Sequence, residues 1–521
     1  MLHSKSRKGC AQNHGALTAA IGAFMLLSGA LFGCQGNKAQ EVAENNAARF
    51  IALNTQPAHE CLGQMLSTLP PSSVQADQIA ADYYREQRPW LWASDPERLE
   101  LSHKMANYID EQVSSIGFSP RAFFIDQIKA DLACIDTLMA DTTRLLREAM
   151  ARVELNMSKA YLRYARGQRY GFMNPTAIFN KLDPRTSKTY KTIFDVNIEQ
   201  PDSAFFEEAM RMAEEGRGIS FLQGAEPADS IYHIFKQAWK KDSTEEGRTR
   251  LLCNMERRRW RDTQKVDSAD GRYIFVNIPA QQLWAVSPDS AFSMRICCGA
   301  WNTKTPLLSS AINRVEINPE WLIPQSIVSG EVSHHGGDSS YFARRRYYVI
   351  ERATGDTINP TNLTPTQLRS GKYRISQRSG PGNSLGRLIF RFPNEHAVYL
   401  HDTNSPSAFK RDKRTISHGC VRVERPYDVL TFLLPDADEW LIDRIRMSID
   451  MKPLSEKGKA YKKTHGGAVR LIKQTPVDPK VPVYLSYYTV YPNPETGELE
   501  TWRDRYEYDQ HISKALSIYQ E

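Results

Sequence analysis

The spacing of apolar residues changes once along this 521-residue chain, near Gly271. Upstream, apolar and aromatic residues recur at helical spacing, most clearly over residues 145–167. Downstream, Ile274, Val276 and Ile278 alternate with other residues, as in a strand with one buried face. The change in period predicts an α+β protein, in which a helical N-terminal region precedes a mostly β region.

The composition is that of an ordinary globular protein, with 41% apolar and 24% charged residues. A chain of this length is expected to form two or three domains. The net charge of +7 is mild for the length and gives no signature of nucleic-acid binding. We therefore expect no nucleic-acid partner.

The N-terminus has the pattern of an export signal. Lys5, Arg7 and Lys8 precede an apolar run over residues 16–33, as in the charged and apolar regions of a secretory signal. The run is short for a transmembrane helix, which needs about 20 apolar residues. The alternative is an uncleaved membrane anchor, and both interpretations place the folded part outside the cytoplasm.

The apolar run ends in Leu-Phe-Gly-Cys at residues 31–34, which resembles a bacterial lipobox. By that resemblance, residues 1–34 carry the signal peptide and lipobox, Cys34 is lipidated, and residues 35–47 are a polar tether. Gln35, which follows the cysteine, resembles the sorting signal of outer-membrane lipoproteins. The expected location is the periplasm, with a lipid anchor in the outer membrane.

Six cysteines lie beyond residue 34, and an exported protein can pair some of them. The adjacent Cys297 and Cys298 would point to opposite faces of a strand and are poor partners for each other. Cys61 and Cys134 are a candidate pair without further support. Only Cys420 has neighbours that suggest chemistry.

Cys420 ends the tetrad Ser417-His418-Gly419-Cys420, and fifteen residues separate the tetrad from His401. A thiol attacks as its thiolate and needs a base or an electropositive site nearby. Gly419 allows a sharp turn, so that amides around Cys420 can face a developing oxyanion. Two alternatives are a buried structural cysteine and half of a metal site, although no second ligand pair follows downstream.

The spacing H-x(15)-S-H-G-C-V-R resembles the signature of the L,D-transpeptidase (YkuD-like) catalytic domain, and most closely that of its YcbB-type branch. The resemblance extends over some 150 residues of ordered motifs. These are residues 272–279 (RYIFVNIP), 305–306 (TP), 317–324 (INPEWLIP), 379–386 (SGPGNSLG), 392–394 (FPN) and 399–403 (YLHDT).

The resemblance implies a peptidoglycan L,D-transpeptidase that forms 3→3 cross-links. Cys420 would attack a donor stem tetrapeptide to give a thioester, with His401 as general base. The amides of Gly419 and Cys420 would form the oxyanion hole. The side-chain amine of a diamino acid on a neighbouring stem would then be the acceptor. No cofactor and no metal are expected.

Other residues of the motif have expected roles near the nucleophile. Asp402, through its carbonyl or its carboxylate, is a candidate to orient His401. By resemblance, His418 shapes the cleft beside the cysteine and does not act as the base, and Ser417 completes the catalytic tetrad.

Four residues are candidates for substrate binding. Arg422 could hold a substrate carboxylate in a bidentate pair, with a structural salt bridge as the alternative. Tyr399 and Trp321 match aromatic positions that line the cleft, with core packing as the alternative. Asn383 belongs to the PGNSLG motif.

The domain prediction has a helical scaffold over residues 48–265, with no peptidoglycan-binding module, since only the short charged stretch 240–250 is available for it. The catalytic domain is expected over 268–445, interrupted by a lid at about 328–377, and residues 446–521 are expected to be a basic linker and a pair of strands. Two alternative functions remain. One is hydrolysis by the same fold, as an L,D-carboxypeptidase or peptidoglycan amidase, and the other is a non-catalytic, wall-associated scaffold lipoprotein.

Overall fold

The structure, a computed structural model, describes residues 56–138, 144–182, 193–467 and 470–521. The predicted signal peptide, the lipobox at Cys34 and the tether lie outside these residues and stay predictions. Among the described residues, no helix combines the length and the apolar character needed to cross a membrane.

The N-terminal region is helical, as predicted. Its longest helix, α5, buries Leu155, Tyr161 and Tyr164 on the face predicted from the sequence, because these residues share one side of a 3.6-residue repeat. The helices are α1 Gln56–Thr68, α2 Gln75–Arg85, α3 Pro96–Ser115, α4 Ile125–Leu138, α5 Arg144–Tyr170, α6 Pro175–Phe179, α7 Ser203–Glu214, α8 Gly218–Ala225, α9 Ser230–Lys241 and α10 Glu245–Arg259. Residues 242–244 are all that separates α9 from α10.

The region after Gly271 is built on a ten-stranded sheet in the order β1-β5-β10-β11-β13-β4-β3-β2-β14, with β12 beside β4. Strand β14 also pairs with β5, which closes the sheet on itself. The strands are β1 Phe194–Asp195, β2 Tyr273–Asn277, β3 Gln282–Val286, β4 Ala291–Gly299, β5 Leu307–Ile317, β10 Leu388–Arg391, β11 Leu400–His401, β12 Thr415–Ser417, β13 Val421–Val423 and β14 Gln474–Ser486. The predicted α+β class is confirmed.

The helical region and the sheet share one hydrophobic core. Strand β1 comes from the N-terminal side of the chain, yet it pairs in parallel with β5. Helix α10 is also a connection, because the Asn254 amide donates to Thr489 Oγ1 at 2.7 Å and Arg257 pairs with Asp509 at 2.6 Å. The predicted boundary near residue 265 is therefore a boundary in sequence pattern, and packing continues across it.

The insertion predicted at 328–377 is a small subdomain with its own core. It begins earlier than predicted, since a separate sheet in the order β6-β9-β7-β8 starts at Trp321. Its elements are β6 Trp321–Leu322, α11 Gln325–Gly330, α12 Ser339–Arg344, β7 Tyr347–Glu351, β8 Thr357–Ile358, α13 Pro365–Arg369 and β9 Tyr373–Gln377. The short strands escaped the sequence analysis because Gly, Ser and Arg dominate the segment.

A C-terminal strand completes the main sheet, as expected, but the C-terminal part differs in two respects from the predicted linker and strand pair. The stretch predicted as a basic linker contains helix α16 (Glu456–His465), which the Ser455 hydroxyl caps by accepting from the Gly458 amide. The expected strand pair is also different, because β14 joins the main sheet while β15 (Val490–Pro492) pairs with β16 (Leu499–Thr501). The helices α14 (Pro426–Leu433) and α15 (Glu439–Ser448) confirm the predicted helical stretch after Pro426, and α17 (Tyr508–Leu516) follows near the end.

Candidate active site

The register of two parallel strands brings the predicted catalytic residues to one face of the sheet. His401 on β11 lies opposite Arg422 on β13, and Leu400 lies opposite Val421. Leu400 and Val421 are fully buried in the core on the other face. Because side chains alternate along a strand, Tyr399 and Cys420 lie on the same face as His401 and Arg422. Tyr399 and Cys420 directly precede β11 and β13, and the Tyr399 side chain adjoins both the His401 ring, at 5.6 Å between ring centroids, and the Cys420 sulfur.

The turn before the nucleophile depends on glycine and on a serine hydroxyl. Gly419 has a φ of +116°, a conformation that side chains disfavour. Ser417 Oγ donates to the Cys420 carbonyl at 2.6 Å and accepts from the Gly419 amide at 3.2 Å. The Ser417 hydroxyl therefore holds the turn between Ser417 and Cys420 through two hydrogen bonds.

The predicted oxyanion hole needs a correction. The Gly419 amide already donates to Ser417 Oγ and is not free to receive an oxyanion. Within the described part of the chain, the amide of Cys420 has no hydrogen-bond partner. Cys420 N–H thus remains as the candidate donor from the predicted pair.

Thr305 of the TP motif links the turn at Gly419 to the end of β4 through hydrogen bonds. Thr305 Oγ1 donates to the Gly419 carbonyl and accepts from the Gly299 amide, both at 2.8 Å. The buried Tyr506 hydroxyl donates to the Gly299 carbonyl at 2.6 Å. Sequence analysis missed this role of Tyr506 because the tail was expected only to complete the fold, and no local pattern ties it to Cys420.

His401 is a buried imidazole with a free ring nitrogen. Its side chain is 4% exposed, and its Nδ1 atom has no hydrogen-bond partner among the residues that the structure describes. Burial lowers the pKa of His401 to about 3, and the positive charge of Arg422 acts in the same direction. His401 is therefore neutral at physiological pH and able to accept a proton.

Cys420 is half-buried and unpaired. Burial raises the pKa of the Cys420 thiol, while Tyr399 and the charges of Arg391 and Arg422 act in the opposite direction. The Tyr399 side chain lies within hydrogen-bonding reach of the sulfur, and Arg391 lies over the Tyr399 ring at 4.2 Å. In the resting site the thiol and the imidazole are thus both neutral.

Arg422 is half-buried between the candidate base and a neighbouring strand. It pairs in register with His401 on one side and with Cys297 of β4 on the other. Its Nε atom is buried without a hydrogen-bond partner. The structural salt bridge that was the alternative for Arg422 is not observed among the described residues, so the guanidinium can receive an anion.

Two predicted residues have structural roles. The carboxylate of Asp402 accepts from the amides of Arg387 and Thr403, both at 2.7 Å, so of the two predicted orienting groups the Asp402 carbonyl remains, and the backbone there acts on the His401 imidazole. The side chain of Asn383 is buried and bonds to backbone groups, among them the Arg378 carbonyl and the Leu385 amide. These bonds hold the loop of the PGNSLG motif, and substrate binding by Asn383 stays a prediction.

The insertion contacts the tetrad through His418. The His418 ring is exposed, and its Nε2 atom lies 2.7 Å from Glu331 Oε1 of the insertion. The predicted role of His418, to shape the cleft beside the cysteine, would therefore involve the insertion as well. Trp321, predicted to line the cleft, packs instead against the core of the insertion.

The described residues contain no cluster of three His, Cys, Asp or Glu side chains of the kind that holds a metal ion. The six cysteines of the described ranges are free thiols, so the candidate pair Cys61–Cys134 is not formed. Cys298 packs in the main core and Cys297 in a separate cluster, which confirms that they face opposite ways.

Two family models match the chain. One is the L,D-transpeptidase catalytic domain, YkuD, over residues 271–442. Residues 271–442 are thus similar to a YkuD catalytic domain. The other is the Scaffold domain, over residues 77–238. The YkuD match contains the strands of His401 and Cys420 as well as the inserted subdomain, and the Scaffold match corresponds to the predicted helical region.

A curated protein from Haemophilus influenzae, named "Putative L,D-transpeptidase", is 29% identical over 245 residues. The alignment covers 46% of this chain and 45% of that protein. The chain thus matches less than half the length of this relative.

Proposed function

We propose that this chain is a peptidoglycan L,D-transpeptidase of the YcbB-type branch that forms 3→3 cross-links. The observation that carries the proposal is that β11, which ends at His401, pairs with β13, which directly follows Cys420, inside the region matched to the YkuD domain. A neutral imidazole next to a thiol is the arrangement that general-base activation of a nucleophile requires.

In the first step, the Cys420 sulfur attacks the carbonyl carbon that precedes the terminal D-residue of a donor stem tetrapeptide. His401 takes the thiol proton as the S–C bond forms, because the resting pair is neutral. The proton then passes to the leaving amine as the C–N bond breaks. The terminal D-alanine departs, and the donor remains on Cys420 as a thioester.

In the second step, the side-chain amine of a diamino acid on a neighbouring stem attacks the thioester. The amine gives its proton to His401, the new amide bond forms, and the C–S bond breaks. The sulfur leaves as a thiolate and takes the proton from His401, which restores the starting pair. Each step needs the imidazole to be neutral before attack, as burial keeps it.

The oxyanion of each tetrahedral intermediate needs donors close to Cys420. The Cys420 amide is free, and the Tyr399 hydroxyl lies within reach of the sulfur. We assign these two groups to the oxyanion hole in place of the Gly419 amide. Removing one such donor typically costs about 10²–10³ in rate.

Arg422 is the group that we assign to a carboxylate of the donor stem. Its Nε atom is buried and unpartnered, and guanidinium groups bind carboxylates with two parallel hydrogen bonds. A bound carboxylate would offset the positive charge that lowers the pKa of His401. Substrate binding would therefore make His401 a stronger base at the moment it is needed.

The proposed location follows from the proposed substrate. Peptidoglycan lies outside the cytoplasm, and the predicted signal peptide, with lipidation at Cys34, would anchor the enzyme in the outer membrane facing the periplasm. Metabolic labelling with a fatty acid, in the natural chain and in Cys34→Ala, tests the anchor. Label in the natural chain alone supports it, and absence of label from both contradicts it.

Mass spectrometry of muropeptides tests the function. The purified protein is incubated with disaccharide-tetrapeptides beside Cys420→Ala and a control, Cys134→Ala, in which a half-buried scaffold cysteine is replaced. Cross-linked dimers that lack one D-alanine, in the natural protein and the control alone, are expected. Tripeptides without dimers would identify a hydrolase, and unchanged substrate in all samples would favour the non-catalytic scaffold.

A further inference from the structure

A short strand from the N-terminal side of the chain reaches the edge of the catalytic sheet. Strand β1 pairs in parallel with β5, with Asp195 opposite Leu308. This pairing fixes the backbone of Asp195 relative to the sheet, and its side chain is 36% exposed. Asp195 is thus held in place without belonging to the core.

The Asp195 carboxylate holds a buried histidine next to the nucleophile. Its Oδ2 atom lies 2.9 Å from His396 Nε2, and the His396 side chain is 4% exposed. The backbone amide of His396 also donates to Asn394 Oδ1 at 3.1 Å. Both the ring and the backbone of His396 are therefore restrained.

The next residue, Ala397, has a φ of +53°, in the left-handed region that non-glycine residues disfavour. Such a conformation persists only when its surroundings restrain it. The restraints here are the His396–Asp195 pair on one side and, on the other, the Asn394 amide, which donates to the Val398 carbonyl at 2.8 Å.

The strained residue faces the reacting atom. The Ala397 carbonyl oxygen lies 3.8 Å from Cys420 Sγ, within range of an S–H donor. A carbonyl that accepts from the thiol holds the sulfur in one rotamer and favours the neutral S–H form over the thiolate. The position of this carbonyl depends on the loop that His396 anchors.

We propose that Asp195 is a positioning residue for the Cys420 thiol, acting through the His396 ring and the Ala397 carbonyl. This inference rests on the proposed function in one respect, namely that Cys420 is the nucleophile. It gives the N-terminal part of the chain a role at the reacting centre. The role joins the two matched regions, because Asp195 lies in the Scaffold match and Cys420 lies in the YkuD match.

The test compares alkylation of Cys420 with catalysis in the full chain. The rate of iodoacetamide labelling at Cys420 is followed against pH by peptide mass spectrometry. In Asp195→Ala we expect labelling near neutral pH to rise several-fold, because the carbonyl no longer favours the thiol form. We expect dimer formation to fall about tenfold or more, because the sulfur is no longer held in one position.

Two further variants and a matched control separate positioning from general loosening. Asp195→Asn keeps an oxygen acceptor for His396 and should give the labelling rate and the dimer yield of the natural protein. His396→Gln should reproduce the Asp195→Ala result. Asp136→Ala breaks a pair of the same kind, with His103 at 3.2 Å in the scaffold, and should change neither. Tyr399, Arg391 and Arg422, the other groups that act on the thiol, are present in every variant.

Each outcome separates this inference from the proposed function. Unchanged labelling in Asp195→Ala and His396→Gln, or an equal change in Asp136→Ala, overturns the role of Asp195 even if dimers form. If the labelling profile shifts in Asp195→Ala but the natural protein makes no dimers, the positioning role is supported and the proposed transpeptidation is contradicted.

Discussion

Two buried titratable side chains, Glu154 in the helical region and His401 in the catalytic domain, show how differently the two regions treat polar groups. Glu154 is fully buried, and its oxygens accept from the amides of Leu91, Trp92 and Ala93 and from the Tyr84 hydroxyl. His401 is almost as deeply buried, yet its Nδ1 has no partner. Burial raises the pKa of Glu154 to about 7 and lowers that of His401 to about 3.

The difference separates a structural polar group from a functional one. Glu154 ties the residues before α3 to α5, and the donors around it offset the cost of burying a carboxylate. Burial of His401 contributes little to the stability of the fold, since a buried nitrogen without a hydrogen-bond partner is uncommon in stable interiors. Burial at His401 instead holds the imidazole in the form that accepts a proton.

Replacing His401 should have the largest effect on catalysis. His401→Gln is expected to lower kcat/KM for cross-linking by about 10³-fold, since general-base catalysis contributes about 10²–10⁴-fold. The unfolding free energy at neutral pH should not fall, because no hydrogen bond from Nδ1 is lost. Quantified dimer formation and urea unfolding measure the two effects, and a variant that is active but unstable would reverse the comparison.

Replacing Glu154 should lower stability and leave catalysis unchanged. Glu154→Ala is expected to lower the unfolding free energy by about 3 kcal/mol or more, since each buried donor left without an acceptor costs about 1–3 kcal/mol. Activity per folded molecule should be unchanged. The control on the same helix is Glu148→Ala, which removes a partly exposed pair with Arg144 and should cost less than about 1 kcal/mol. Equal losses in the two variants would contradict the structural role.

Replacing Arg422 should have a smaller effect, which falls on the binding of the donor. Arg422→Gln is expected to raise KM for the donor tetrapeptide about tenfold, because a charge-assisted pair with a carboxylate is lost. Arg425→Gln, which breaks an exposed pair with Asp428, is the control. A donor amidated at its free carboxylates should remove the difference between Arg422→Gln and the natural protein, and a difference that persists would exclude carboxylate recognition.

The last effect concerns stability at acidic pH. The pKa of His401 is lower in the folded protein than the usual 6.5, so between pH 6.5 and about 3 the unfolded chain binds a proton that the folded chain does not. Unfolding free energy should therefore fall with pH in this window, by up to about 1.4 kcal/mol per unit. Urea midpoints of the natural protein and His401→Gln should diverge there, while those of His103→Gln, an exposed histidine, should not.

The comparison also shows which parts of the molecule local sequence could reveal. The alternation that places Tyr399 with His401, and Cys420 with Arg422, can be read from each strand alone. The network around Glu154 could not be predicted, because its donors come from residues 84–93, some sixty positions earlier. For the same reason, the sequence did not show that the side chains of Asn383 and Asp402 bind backbone groups.

The sequence by itself determined the α+β class and the change from a helical region to a mostly β region, and it predicted Cys420 and His401 as nucleophile and base. These features depend on residue types and periods within a few turns or strands. The tertiary structure alone decided that β14 closes the sheet, that the Gly419 amide donates to the Ser417 hydroxyl, and that Asp195 pairs with His396. Each of these depends on pairing between distant segments, and such pairing is fixed by packing of the whole core, which no local period encodes.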